Sequence, residues 1–283
     1  METRETMLDP ITRGLASLRS AAMTTSSSLP HAQLASRSGP ALHVRGLALR
    51  LVAGSELGEA ELDAMWQLRA RFLALKPEVE PARDRALFGA WLQAPGSMLA
   101  LGCDAAGIQT YIDTNARVVE HAGERHVVLY SNFVFSSERY RNHPAYVLGF
   151  LGNVAVQLQR CGLRNALLVS GLYPPSFVVV ARTFPTTWIA GETDVPPQLA
   201  ALTERVAPDI FGESWLPERE LIRTRTLPHD YAPRSPLTAA LLRRYEARNP
   251  IWREGHTVLC LTPLTLRNVL GCMRLAAARA LGR

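Results

Sequence analysis

Apolar positions along this chain follow two repeats. As short Val, Ile, Leu, Phe and Tyr runs they predict strands at Ala48 to Val52, Ser97 to Gly102, Ile108 to Glu120, His126 to Phe135, Asn165 to Ser170, Thr186 to Ala190 and Thr257 to Leu261. At helical spacing they predict helices over Glu59 to Leu75, from Pro81 to just before Pro95, and over Ala145 to Arg160. Further helices are predicted over Ser176 to Phe184, Pro197 to Ala207, Leu237 to Arg248 and Leu264 to Leu281. Pro81 suits a first helical turn, and Gly162 suits a helix end. A bulge is expected at Asp113 to Asn115, where polar residues interrupt a strand.

One stretch organises the rest. His126 to Phe135 reads as a buried strand, and Ala145 to Arg160 carries Val147, Leu151, Val154 and Leu158 on one helical face. Between them lies a polar turn with Arg139, Arg141 and His143. A strand that enters a helix through such a turn aims the helix's free N–H groups at the turn, which favours a bound anion.

Composition narrows the choices. The chain has 283 residues, 47% of them apolar and 20% charged, with a net charge of +6. Lys76 is the only lysine, so the positive charge is almost all arginine, scattered along the chain and without a nucleic-acid motif. No nucleic-acid partner is expected. Cys103, Cys161, Cys260 and Cys272 form no CxxC pair, and no HExxH is present, so zinc, redox-pair and helical metalloprotease sites are not expected. Free thiols suit a reducing cytoplasm, and no apolar run is long enough to span a bilayer. Ser170 lacks the flanking glycines of a hydrolase elbow, and no Gly-rich nucleotide fingerprint appears. Residues 1–44 read as a disordered tail, 45–191 as the core, and 192–283 as an extension packed on it. Ile11 to Met23 reads either as a transit-like amphipathic helix or as tail.

The order of elements from Leu47 to Ala190 resembles that of the GNAT (Gcn5-related N-acetyltransferase) superfamily. That family's pyrophosphate turn reads Gln/Arg-x-x-Gly-x-Gly/Ala. Here the matching stretch is Arg139-Tyr140-Arg141-Asn142-His143-Pro144, with Asn142 and Pro144 in place of the small residues. The resemblance implies an α/β (α+β) fold: a mixed, mostly antiparallel sheet flanked by helices, parted in a V between the strands at Val127 to Phe135 and Asn165 to Ser170. It implies acetyl-CoA or another acyl-CoA as co-substrate and an unidentified amine, small-molecule or otherwise, as acceptor. The expected activity is N-acyl transfer; the alternative is a non-catalytic acyl-CoA-binding protein. Phe133, Val134 and Phe135 would lie along the pantetheine, and Arg139 to Pro144 would hold the pyrophosphate. Phe177 stands where the family often carries an acidic tyrosine, so Tyr173 and Ser170 are the candidate acids. The family's basic Glu has no match, and the strand offers Tyr130, Ser131 and Asn132 instead. Gly149 and Gly152 leave room for close approach by a ligand or by the sheet.

Overall fold

The computed structural model describes residues 41–141 and 143–280; the expected tail and Asn142 lie outside them or nearly so. In chain order the elements are β1 (Leu42–Val44), β2 (Leu47–Ala53), α1 (Glu59–Ala70), β3 (Leu73–Leu75) and α2 (Pro81–Leu92). The meander β4 (Met98–Asp104), β5 (Gly107–His121), β6 (Glu124–Ser131) and β7 (Val134–Ser136) follows, then α3 (Pro144–Cys161), β8 (Ala166–Leu172) and α4 (Pro174–Thr183). The remainder is β9 (Trp188–Ile189), α5 (Pro197–Phe211), β10 (Trp215–Leu216), β11 (Leu221–Arg223), β12 (Thr226–Pro228), α6 (Pro236–Arg248), β13 (His256–Pro263) and α7 (Leu266–Ala280).

The main sheet runs β1-β2-β4-β5-β6-β8-β13-β11-β10, with β7 added to β5 and β9 to β13. Among the described strands only β6 and β8 pair in parallel. Alternation along the strands sorts the two faces. Val128, Val169 and Leu259 pack against Leu202, Val206 and Ile210 of α5. Their neighbours Val127, Leu129 and Leu168 pack against Val147 and Val154 of α3 and Cys272 and Ala276 of α7. The pair α1 and α2 shares the α5 side, while α4 and α6 share the α3 side. Each fully buried Leu or Val contributes about 1.5–3 kcal/mol relative to exposure.

The helix α3 sits against the sheet more closely than its apolar stripe alone requires. A Cβ on Gly149 would lie 2.8 Å from that of Ala100, and one on Gly152 would lie 3.0 Å from Leu51 Cδ1. The two glycines therefore serve helix-on-sheet packing, not a ligand. Asn153 donates to Ile112 O at 3.0 Å, and Gln157 donates to Gly96 O and Thr114 O, both at 2.8 Å. These buried amides rivet the helix to β5. Gly162 ends it at φ 100°, a conformation that suits glycine.

Four expectations change. Leu73 to Leu75 leaves the helical pattern and pairs with β12, because Arg71 and Phe72 already sit beyond the helix end at Ala70. The bulge lies not in β5 but opposite it: Ile112 faces Val134 and Asn115 faces Tyr130, so the partner strand carries one residue more. The expected tail reaches too far, because Leu42–Val44 pairs with β2. Lastly, β13 pairs with β8 from Val258 opposite Leu172 to Pro263 opposite Leu167. A core ending at residue 191 therefore lacks the strand that covers β8. Among the described residues no helix is long and apolar enough to cross a membrane.

Candidate active site

The parallel pair β6 and β8 stays in register from Val127 opposite Ala166 to Ser131 opposite Ser170, then divides. Beyond Ser131, Asn132 and Phe133 bulge out and β7 continues on β5 alone, while β8 continues to Leu172 on β13. The result is the expected V. Its apex carries a buried carboxylate. Asp113 Oδ1 accepts from Phe133 N at 2.7 Å, Asn132 N at 3.1 Å and Ser131 Oγ at 3.1 Å, and its Oδ2 accepts from Trp91 Nε1 at 2.8 Å. Those two backbone donors belong to the bulge, which would otherwise leave them unpaired in the core. Burial pushes the Asp113 carboxyl up to about 6, against hydrogen bonds from Trp91, Phe133, Ser131 and Asn132.

A cleft of about 1470 Å³ fills the V and passes through the sheet. Asn132 to Ser136 form one wall, and Gly171 to Tyr173 form the other. The Phe133 ring packs on Phe88 at 4.9 Å and the Phe135 ring on Tyr111 at 5.6 Å, so aromatic contacts brace that wall from behind. One mouth opens between α3 and α7, past Tyr146, Arg141, Arg182 and Arg279. The other opens between α2 and α5, past Trp91, Asn115, Arg117, Tyr130 and Phe211.

The lining is strongly cationic: nine arginines stand against two carboxylates, Glu138 and Asp230. Arg141 donates to Glu138 at 3.1 Å and stacks over Phe72. Arg182 has no ion pair among the described residues, and Arg279 keeps Nη1 buried without a partner. Burial lowers the Arg279 pKa, and the Arg182 charge beside it lowers it further.

The turn residues divide. Glu138 and Arg141 line the cleft; Arg139, Tyr140, His143 and Pro144 do not. The Tyr140 hydroxyl donates to Asp104 at 2.9 Å, and Arg139 lies over the Tyr140 ring. His143 caps α3 itself: its Nδ1 accepts from Ala145 N at 3.2 Å. Burial lowers the His143 pKa, which keeps that nitrogen able to accept. With Pro144 lacking an N–H, the first turn of α3 offers an anion less than the usual helix start does.

Of the three candidate hydroxyls, Ser131 and Tyr173 line the cleft and Ser170 does not. Ser131 is held by Asp113. The Tyr173 hydroxyl donates to Thr226 O at 2.7 Å and lies 2.6 Å from Thr224 Oγ1. Burial raises its pKa, so the phenol is neutral near pH 7. Phe177 is fully buried beneath it. Thr224 to Pro228 thus form a strap over the V. Arg225 pins its other side through Asp84 at 2.9 Å, and Arg69 meets the same carboxylate in a buried contact at 2.6 Å. Among the described residues no His, Cys, Asp and Glu group could hold a metal ion.

Sequence reasoning missed Trp91, Arg182 and Arg279. Trp91 belongs to an apolar helical stripe that reads as packing, Arg182 is a lone charge on its helix, and Arg279 lies on the Arg-bearing face of the last helix, which only the β13 and α7 placement brings to the cleft.

The sequence matches no family model and no curated protein. Several solved acetyltransferases match about half of the chain at low identity. One, from Trypanosoma brucei, is 14% identical with a TM-score of 0.35, over 46% of this chain and 86% of that one. The enzyme AAC(6')-Iy with the bisubstrate analogue CoA-S-monomethyl-acetylneamine is 15% identical with a TM-score of 0.35, over 47% and 84%. A ribosomal-protein-alanine N-acetyltransferase from Brucella melitensis biovar Abortus 2308 is 10% identical with a TM-score of 0.34, over 46% and 85%.

Proposed function

We propose that the protein is an acyl-CoA-dependent N-acyltransferase. The observation that carries this reading is the divided parallel pair: a strand edge at Asn132 to Ser136 left without a partner strand, inside a cleft that connects a cationic mouth to a second opening. An extended pantetheine can run along such an edge and hydrogen-bond its backbone as a strand would. The ADP moiety carries several negative charges and belongs at the mouth of Arg141, Arg182 and Arg279. There the guanidinium groups replace donors that Pro144 and His143 withhold from the helix start.

When bound, the acyl-CoA supplies an activated thioester carbonyl near the apex of the V. The chain's own groups then handle protons. On this reading Ser131, already bonded to Asp113, takes the proton of the attacking amine while passing its own to Asp113. On the same reading Tyr173, a neutral phenol, protonates the departing thiolate, so the proton lost by the amine is balanced by the one gained at sulfur. The commitment of both hydroxyls to internal partners favours the second reading, a protein that binds acyl-CoA without transferring its acyl group.

Calorimetric titration with acetyl-CoA tests the cofactor site. Replacing Arg141, Arg182 and Arg279 by Ala together is expected to weaken binding by roughly a hundredfold or more, from charge-assisted contacts of about 1.5–3 kcal/mol each. The same change at Arg164, Arg205 and Arg243 together, all three exposed and none lining the cleft, serves as the charge control. Equal affinity of the triple variant and the parent would remove the phosphates from this mouth.

A further inference from the structure

The geometry points to an acceptor of one chemical class: a small amine that carries a carboxylate and an apolar side chain, its carboxylate bound by Arg117. This rests on the acyltransferase reading above.

The argument comes from the second mouth. Its walls are Trp91 of α2, Tyr130 of β6, Ile210 and Phe211 of α5, and Ile222 of β11, an apolar and aromatic surface. Two polar groups face the same space from β5. Arg117 lies over the Tyr130 ring, 5.8 Å from its centroid, and its only ion pair among the described residues is a 3.8 Å contact to Asp209, which is itself 72% exposed. That contact is long and wet, so it neutralises Arg117 weakly. Asn115 is 2% exposed, lines the cleft, and leaves its Nδ2 buried without a partner. An unpaired buried donor is satisfied by a carboxylate or carbonyl oxygen and repelled by an ammonium.

Apart from the exposed Asp209, the carboxylates near the cleft lie elsewhere. Glu138 belongs to the turn before α3 and is tied to Arg141. Asp230 adjoins Tyr231, which packs with the α4 and α6 cluster on the opposite side of the sheet. Asp84 stands behind the wall with two guanidinium partners, Arg69 and Arg225. Asp113 is fully buried and saturated by its four donor groups. A polycationic amine therefore meets only the exposed Asp209, which is outside the lining and already turned to Arg117, while an amino acid with an apolar side chain finds a guanidinium, an amide donor and an apolar wall. The reacting nitrogen must arrive neutral, so the carboxylate is the one charge left to recognise.

The test compares three amines with the full-length protein and acetyl-CoA, following release of the CoA thiol: L-phenylalanine, 2-phenylethylamine and spermidine. The first two differ only by the carboxylate. L-Phenylalanine is expected to exceed 2-phenylethylamine in kcat/KM by roughly tenfold or more, with spermidine the poorest. Arg117→Gln is expected to bring the first two within about twofold of each other, whereas Arg164→Gln, on an exposed loop, keeps the ratio. Equal rates for the first two, a preference for spermidine, or a ratio that survives Arg117→Gln would each overturn the inference and leave the acyltransferase reading standing. Binding of acetyl-CoA without transfer to any of the three overturns the acceptor assignment and favours the binding-only reading. Failure to bind acetyl-CoA at all overturns both.

Discussion

Replacing Asp113 by Ala is expected to destabilise the protein by roughly 3–5 kcal/mol at pH 7, because it strands a set of buried donors at once. The N–H groups of Asn132 and Phe133, the Ser131 hydroxyl and the Trp91 indole all end on this one carboxylate. Among the described residues the two bulge N–H groups bond to nothing else, so the variant is also expected to lose acetyl-CoA binding. The pH dependence has a definite sign. In the folded protein the carboxyl titrates at about 6, against 3.8 for the free group. Between those values the folded state holds the proton and the unfolded state does not, so the contribution of Asp113 to stability falls as pH rises from about 4 to about 6. The span is on the order of 3 kcal/mol. Urea unfolding at several pH values measures it: the gap between parent and Asp113→Ala should widen on acidification. A gap that narrows, or a cost below about 1 kcal/mol at pH 7, contradicts this account of the apex.

The second large effect is expected at Asp84. Its side chain is fully buried, and it joins Arg69 of α1, Arg225 of the strap and the Trp66 indole. Asp84→Ala leaves the Arg69 guanidinium, 6% exposed, without a counter-charge between the Phe88 and Phe133 rings. Breaking one side of such a pair costs about 3–5 kcal/mol, whereas replacing both partners by apolar residues costs less. The double change Arg69→Met with Asp84→Leu should therefore be the more stable variant. Burial alone raises the Asp84 pKa, but Arg69, Arg225 and Trp66 together hold it below 3.8. Its stabilisation is thus complete above pH 3.8 and lost as pH falls through the lower folded value. Asp84 and Asp113 give opposite slopes in the acidic range, which separates them in one set of unfolding curves. Loss of the Arg225 anchor should also make the strap a site of trypsin cleavage. A single variant as stable as the double one would contradict the buried-pair account.

Much of the sheet was legible because its strands are buried on both faces and read as unbroken apolar runs. Asn165 to Ser170 and Thr257 to Leu261 are examples, although nothing local says that the second lies beside the first. Pairing between strands so far apart in sequence is fixed by side chains from α5, α6 and α7 that close over both faces. The strand at Leu73 to Leu75 was hidden because LAL continues a helical stripe as well as it forms a strand. Its partner lies at Thr226–Pro228, far along the chain. Asn153 and Gln157 of α3 are polar, yet both point into the sheet, where backbone carbonyls of β4 and β5 need donors. The bulge was placed on the wrong strand for a related reason. Asp113 does interrupt an apolar run, but it does so to serve the neighbouring strand's amides. The turn at Arg139 to Pro144 was read as a unit, and the structure divides it: Arg141 faces the cleft while Tyr140 and His143 hold the turn in place. The cationic mouth could not be read locally, since Arg141, Arg182 and Arg279 come from three separate elements.

The divided sheet is proposed to hold an acyl-CoA and to deliver its acyl group to an amine. Amine-dependent release of free CoA thiol from acetyl-CoA tests it most directly, read for the parent, Tyr173→Phe and the Arg141, Arg182 and Arg279 triple variant. The account predicts release that requires the amine and saturates with it. It predicts a kcat lowered roughly ten- to a hundredfold or more by Tyr173→Phe, with little change in the KM for acetyl-CoA. The triple variant should instead raise that KM. Thiol release independent of any amine, or an Arg triple variant indistinguishable from the parent, would contradict it.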